Sequence, residues 1–531
     1  MFMFKKDISK INVKDLKKRD VFSKVFDFVM GDECLNGKIL VLYGLRRTGK
    51  TTIMEQVINA YPNPDECTMC EMEDGDSMED IKYLLAEEKK NGKKIIFLDE
   101  ITKTENFINR CAVLPDLFAK EGMKIVVAGT DSLGLLLAEN GELYDRMIKV
   151  STTHITFAEH CRVLGGNDID DYIRYGGLMR EGAKGAVYSY ETAIKYLDSA
   201  VSENISNSLK KDRRDSSLDV FTADEIKTII EKMVEIYSGE INIRDAQEEL
   251  SKASVNYPLH KLKDLTNDSD KEIIEKIYFN EKDIINDFAK KINADISIKH
   301  EVTGDMLAKL EQYLMEMDLL SVVKEKEYRK QRNFDDYIES GTKYEYYIIQ
   351  PALKYYHLLE GKKFIEEGNY YNDLSAVQKE FMTNKLDEKI KGDMIEQIIA
   401  FDTSSILPND RYNVLKTKFY ENGSNKGEYD MLIYDKKGTR YWGFEIKHTE
   451  NPYKMQDKHL RNDDFARVMN SYYGNREKAC VLYRGKSFIT NMGTVYLNIT
   501  DFMLAIDKHR DMDKTMEELT KELEVWDINR P

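Results

Sequence analysis

Short apolar runs alternate with helix-patterned stretches through the first third of the chain. "KILVLY" (38–43) is a near-continuous apolar strand, and the helix after it carries Ile53, Val57 and Ile58 on one face. "ECTMCEM", "KKIIFLDE" and "KIVVAGTDS" predict further strands. From about Gly176 to Asn293 the period is helical, with few breakers. Around 295–360, a turn at Thr303 and Gly304, a helix with Leu307, Leu310, Leu314 and Met317, an apolar strand and a basic stretch predict a winged-helix-like unit. Beyond it, "KGDMIEQIIAF" predicts a helix buried by Met394, Ile395, Ile398 and Ile399, ahead of the hairpin "EYDMLIYDKKGTRYWGFEIK". A helix and an apolar strand follow, then an acidic amphipathic helix expected to dock by Met512, Met516, Leu519 and Leu523.

At 531 residues the chain exceeds one core, and roughly 150 residues per domain predicts about three or four domains. The apolar fraction of 42% allows full burial. A net charge of −16 gives no overall field toward nucleic acid, so such binding must rest on local basic patches. Here those are Lys324, Lys326, Arg329, Lys330 and Arg332, opposed by Asp305, Glu311 and Glu316 on the preceding helix. The opening "MFMFKKDISK" lacks a signal peptide's apolar core and no run is long enough to span a bilayer, so a soluble cytoplasmic protein with no membrane partner is expected. The six cysteines make no disulfide framework. Cys67 and Cys70 form a CxxC on a strand that points them to opposite faces, which disfavours zinc.

The loop after the first strand fits G-x-x-x-x-G-K-[ST] at Gly44, Gly49, Lys50 and Thr51. Its glycines let backbone amides turn toward phosphate oxygens, Lys50 reaches the terminal phosphates, and the Thr51 hydroxyl can ligate magnesium. Thr48 and Thr52 complete the ATP-binding set. Asp99 and Glu100 end a buried strand, where one carboxylate serves the magnesium shell and the other the attacking water. Thr130, with Asp131 and Ser132, ends the third strand as a phosphate sensor. Arg146 is either a charge neutraliser in phosphoryl transfer or a surface salt-bridge partner.

In the hairpin, a two-residue turn at Lys437 and Gly438 makes residues whose numbers sum to 875 face one another. Asp430 then opposes Glu445 and Glu428 opposes Lys447 on one face, while Tyr429, Met431, Ile433, Trp442, Phe444 and Ile446 share the other. Directly opposed carboxylates repel unless a cation lies between them. Magnesium or manganese held by Asp430, Glu445 and the carbonyl near Ile446 would polarise a phosphodiester, with Lys447 steadying the transition state. The bland alternative is an ordinary charged sheet face with salt-bridged side chains.

"GLRRTGKTT", "IIFLDEIT", "VVAGTDS", the stretch from Arg146 to "ITFAEH" and "YIRYGGLM" together resemble prokaryotic AAA-type ATPases close to the STAND class. The segment before Phe157 and Glu159 lacks the proline and serine usual there, and those two residues receive no role. Asp430 followed by Glu445-x-Lys447, with Glu396 on the upstream helix, resembles the PD-(D/E)xK nuclease core, which implies Glu396, Asp430 and Glu445 as metal ligands and Lys447 as a catalytic residue. These resemblances imply an α/β multidomain chain: a P-loop AAA-type ATPase at 1–160, a helical lid at 161–294, a winged-helix-like unit at 295–360 and a nuclease-like domain at 361–531. The expected function is an ATP-hydrolysing switch or motor, with Glu100 catalytic, whose nucleotide state controls a metal-dependent nuclease-like domain acting on nucleic acid. The alternative is an ATP-dependent regulator that recruits DNA or protein through an inert platform. A protein partner or homo-oligomer fits either.

Overall fold

The computed structural model describes residues 4–129, 143–177, 198–206, 221–238, 304–330, 337–358, 375–421, 424–451, 457–491, 494–510 and 514–528, with a few isolated positions between them. Strands β1 (Phe4–Lys5), β2 (Ile39–Tyr43), β3 (Cys67–Glu71), β4 (Ile95–Asp99), β5 (Lys124–Ala128) and β6 (Met147–Ser151) form one sheet in the order β1-β3-β4-β5-β2-β6. All its pairings are parallel except β1 with β3. A parallel sheet is covered on both sides, so its strands are apolar at successive positions. Leu40 and Leu42 of β2 point into a core with α1 (Phe22–Met30) and α2 (Lys50–Ala60), while Ile39, Val41 and Tyr43 join the core that holds α3 (Met78–Lys90). Cys67 and Cys70 fall in opposite cores, and burial pushes both thiols up to about 12, which removes any ready thiolate.

Helices α4 (Phe157–Leu164) and α5 (Ile169–Tyr175) leave this sheet and bury Phe157, Cys161, Ile169, Tyr172 and Ile173 in the core of the C-terminal half. Helix α6 (Ala223–Ser238) returns Ile226, Ile229, Ile230 and Met233 to the first sheet's core. Of the expected lid, residues 180–194, 207–220 and 239–294 lie outside the described residues, as do residues 295–303 of the winged-helix-like unit. Helix α7 (Gly304–Glu316) buries Leu307, Leu310 and Leu314 in that same core, with Met317 beyond it, as their spacing predicts.

The hairpin after α7, β7 (Leu320–Lys330) with β8 (Tyr337–Ile348), continues into a larger sheet. Helices α8 (Pro351–Leu358) and α9 (Ala376–Ile406) lead to β9 (Tyr412–Glu421), β10 (Ser424–Asp435) and β11 (Arg440–Lys447). Then come α10 (Asp463–Tyr473), β12 (Asn475–Tyr483), β13 (Phe488–Ile489), β14 (Val495–Asn498), α11 (Ile499–Lys508) and α12 (Thr515–Ile528). The eight strands run β13-β14-β12-β11-β10-β9-β7-β8. β7 pairs in parallel with β9, so the segment read as a wing is the outer part of this sheet. The backbone groups on one edge of the β7–β8 hairpin are thereby satisfied by β9.

Both faces of the hairpin β10–β11 are buried. Met431, Ile433, Trp442, Phe444 and Ile446 pack on α9 and α11, whereas Leu432 and Tyr441 pack on α10. The pairing is the one the sum of 875 predicts, Met431 with Phe444 through Asp435 with Arg440. Two details differ from the sequence reading. The turn spans four residues, its left-handed residue is Thr439 at φ 48°, and the Asp435 carboxylate holds it by accepting from the amides of Lys437 at 3.1 Å and Gly438 at 3.0 Å. Gly438 is required for closeness instead, since a Cβ there would meet Asp435 Oδ2 at 2.5 Å. Second, β10 carries an extra residue against β9 between Tyr429 and Leu432. This bulge turns Tyr429 into the α10 core, away from Met431, and sets Glu428 opposite Lys418. On α12, Met516 and Leu519 dock as expected, but Met512 before it is exposed and the Leu523 side chain lies outside the described residues.

Candidate functional sites

The phosphate loop joins the carboxyl end of β2 to α2. Gly44 (φ 144°) and Gly49 (φ 90°) take backbone conformations closed to other residues, which lets the loop curl over the start of α2. The buried Lys50 ammonium donates to the carbonyls of Gly44 at 2.7 Å and Leu45 at 2.9 Å. Burial pulls its pKa down to about 8, against the opposing pull of Glu100 and Asp99. Thr51 donates its hydroxyl to Asp99 Oδ2 at 2.6 Å, so the hydroxyl and carboxylate that would share a magnesium ion are adjacent. Burial holds the Asp99 carboxyl above its usual range, with the Thr51 hydrogen bond working against it. Glu100 stands just past β4 in the left-handed region at φ 52°, and it is the strongest charge acting on Lys50.

Other expected members of this site are placed differently. The Thr48 hydroxyl turns inward, to the Leu45 carbonyl at 2.8 Å and to the Thr152 hydroxyl at 2.6 Å, and so shapes the loop rather than facing a ligand. Thr52 follows on the first turn of α2, partly buried. Thr130, Asp131 and Ser132 lie outside the described residues. Arg146 precedes β6, and its carbonyl accepts from Ile39 at the start of β2. That is the sheet end opposite the loop, roughly 15 Å away at the rise of an extended strand. Its guanidinium instead donates to Asp116 at 3.0 Å. The structure therefore does not bring Arg146 to the phosphate site of its own chain.

The sequence reading passed over Arg19. This residue, 4% exposed, lies beneath the loop and pairs through two nitrogens with Glu159, at 2.9 and 3.0 Å. It also donates to the carbonyls of Thr48 (2.7 Å), Thr152 (2.7 Å) and His154 (2.9 Å). Burial pushes the Glu159 carboxyl up, but Arg19 outweighs it and holds the carboxyl low. Glu159 thus has a structural role despite the missing proline and serine. A buried arginine in a polar segment carries no periodicity signal, because its partner is 140 residues away.

The second site sits at the end of the β10–β11 pairing, beside the bulge that β10 makes against β9. The Asp430 carboxylate accepts the Ile446 amide at 2.7 Å through Oδ2, taking a ladder position that a backbone carbonyl would otherwise fill. Lys447 reaches the same oxygen at 3.0 Å and Glu445 Oε2 at 2.9 Å. Lys447 therefore bridges Asp430 and Glu445 rather than pairing with Glu428, whose side chain instead accepts from Asn425 at 2.7 Å. Glu445 is 1% exposed, and its Oε1 has no hydrogen-bond partner. Burial first, and then the Asp430 charge, push its carboxyl up to about 8. Burial lowers Lys447, but Asp430, Glu445 and Glu396 together raise it well above its usual value.

Glu396 projects from α9 into the same cluster. Burial and Asp430 push its carboxyl well above the usual range, and Lys416 of β9 approaches it at 3.6 Å. Lys416 also pairs with Glu345 at 2.7 Å. Among the described residues no three acidic, histidine or cysteine side chains are preassembled around one cation position. The donor set nonetheless suits a hard divalent cation. Asp430 and Glu445 offer only carboxylate oxygens, and one of these is buried with no partner. His448, next to Lys447, meets Asp170 of α5 through its Nε2 at 2.6 Å.

The family model described as "AAA domain" matches residues 36–161, so this part of the chain is an AAA-type P-loop ATPase domain. Among solved structures, the chain is similar to S. cerevisiae Hsp104 in its extended complex with casein, at 16% identity over 46% of this chain and 50% of that one, TM-score 0.25. It is also similar to the S. cerevisiae Hsp104–ADP complex, at 12% identity over 73% of this chain and 50% of that one, TM-score 0.24. The chain spans about half the length of each. No match was found among curated proteins. No helix among the described residues is long and apolar enough to cross a membrane.

Proposed function

We propose that this protein is an ATP-hydrolysing switch whose nucleotide state controls metal-dependent cleavage of nucleic acid at the C-terminal site. One observation carries the cleavage reading: Asp430, Glu445 and Lys447 converge at a bulge, with a buried carboxylate oxygen left unpaired. Glu396 on a helix, Asp430 on one strand and Glu445-x-Lys447 on the next are also the placement that the PD-(D/E)xK resemblance requires. Asp430 and Glu445 would hold magnesium or manganese, with Glu396 nearby. The bound metal would supply an acidified water and charge for the phosphodiester.

The chain's own residues do the rest. Lys447 bridges Asp430 and Glu445 at close quarters, and its ammonium would be released toward a phosphate oxygen if those carboxylates held a cation. At the first site, Lys50 and the loop amides hold the ATP phosphates, Thr51 and Asp99 the magnesium, and Glu100 orients the attacking water.

Control has a physical route, because the segment after β6 is wedged between the two sheets. Asp402 of α9 accepts the Phe157 amide at 2.6 Å and meets His154 Nε2 at 2.9 Å. Asp170 of α5 binds His448, the neighbour of Lys447. Asp402 lies on the same helix as Glu396, so a shift of residues 152–175 moves the support of both.

The test is cleavage of labelled single-stranded DNA, duplex DNA and RNA by the purified chain, with magnesium or manganese and with or without ATP. Metal-dependent cutting abolished by Glu445→Gln, in a variant that keeps its ATPase activity, is the expected result. A folded wild type that hydrolyses ATP but cuts none of these substrates would transfer the reading to an inert platform that recruits DNA or protein.

A further inference from the structure

The dipeptide Arg19-Asp20 precedes the matched AAA segment, and neither residue belongs to the phosphate-loop motif. The Arg19 stem passes beneath the loop, and a Cβ added to Gly49 would lie 3.6 Å from its Cδ. Its head group spends its donors on Glu159 and on three carbonyls, those of Thr48 in the loop and of Thr152 and His154 after β6. The Asp20 amide donates to Glu159 Oε1 at 2.7 Å, so Glu159 grips the dipeptide through backbone and side chain together. Asp20 in turn meets Arg510, beyond α11, at 2.9 Å. A carbonyl drawn down toward Arg19 keeps the peptide planes of the loop oriented, and with them the amides that face phosphate oxygens.

We infer that Arg19, clamped by Glu159, is a positioning residue for ATP binding: it fixes the shape of the phosphate loop from below without touching the nucleotide. Lysine cannot substitute, because a single ammonium cannot serve two carboxylate oxygens and three carbonyls in one plane. The inference rests on nucleotide binding at the loop, which the same experiment checks.

The experiment titrates a fluorescent ATP analogue with magnesium into the full chain and follows thermal unfolding without nucleotide. Wild type is compared with Arg19→Lys, Glu159→Gln and the double variant Arg19→Gln/Glu159→Gln. The double variant removes both buried charges together, which spares the fold an unpaired ion. Affinity is expected to fall about tenfold or more in Arg19→Lys and in the double variant, as loss of charge-assisted hydrogen bonds to the loop implies. Glu159→Gln should lose less, because the bonds to the carbonyls remain. In turnover, KM should rise more than kcat falls, while the unfolding midpoint of the double variant stays near that of wild type. Wild-type affinity in Arg19→Lys and the double variant would overturn the inference. Failure of the double variant to fold would overturn it too, because Arg19 would then serve the core rather than the loop. A wild type that binds no analogue would instead remove the nucleotide site itself, and the inference with it.

Discussion

Each candidate site centres on a lysine with two acids nearby, Lys50 buried and Lys447 half-buried, and the two lysines are driven in opposite directions. Lys50 spends its hydrogen bonds on neutral carbonyls, so burial dominates and its pKa falls to about 8. Lys447 lies between Asp430 and Glu445, and their charges more than repay its burial, so its pKa rises. The first site is short of negative charge and invites an anion such as a triphosphate. At the second, the lysine is already neutralised and a carboxylate oxygen is left over, which invites a cation. What a lysine touches, more than how deeply it is buried, decides the sign of its ligand.

Removing each lysine breaks this contrast most sharply. Lys50→Ala should reduce ATP turnover by ~10²-fold or more, because the cation that meets the developing phosphate charge is gone. Measured turnover close to wild type would displace the site. Lys447→Met should instead act on the fold, since two carboxylates are then buried without their cation, at a cost of about 3 kcal/mol. Denaturant unfolding with and without magnesium checks this. The metal should restore part of the loss in Lys447→Met and have no such effect on Lys50→Ala.

A smaller effect is expected from pH. The Glu445 carboxyl titrates near 4.5 unfolded and about 8 folded, so the folded protein binds the extra proton between those values. Its contribution to stability is therefore full below about 4.5 and is lost as pH rises through about 8. Without metal, Glu445→Gln should flatten that decline, leaving the variant about 2 kcal/mol more stable than wild type above it. An identical pH profile for the two proteins would place the titration elsewhere. At the first site, MgATP affinity should weaken as pH rises through about 8, where free Lys50 loses its proton. Isothermal titration across that range measures it, and Lys50→Arg should remove the dependence.

The smallest effect concerns the proposed link between the sites. Burial pushes the Asp170 carboxyl up, but His448 and Arg484 outweigh it and hold the carboxyl low. Asp170→Asn should cost about 1 kcal/mol of stability, as partly exposed pairs do. It should leave ATP turnover within about twofold while weakening the effect of ATP on cleavage. Unaltered ATP dependence would route the coupling through Asp402 alone.

Local patterns made much of this chain legible before folding. The phosphate loop is legible because Gly44, Gly49, Lys50 and Thr51 must lie close in sequence to surround one phosphate group. Alternation along a hairpin likewise fixes which residues oppose each other, and Met431 does face Phe444. The apolar face of α9 follows from its period. Tertiary structure alone decided the rest. The bulge before Leu432 depends on how β9 accommodates β10, and it turned Tyr429 to the face opposite Met431. Pairing of β7 with β9 depends on strands some 90 residues apart, as in Arg329 with Tyr420. Arg146 and Arg19 exchanged importance because a side chain's use depends on which end of the sheet it reaches, and sequence period carries no information about that. Short-range sterics and periodicity are written along the chain. The charges that meet across two sheets are set only when both have packed.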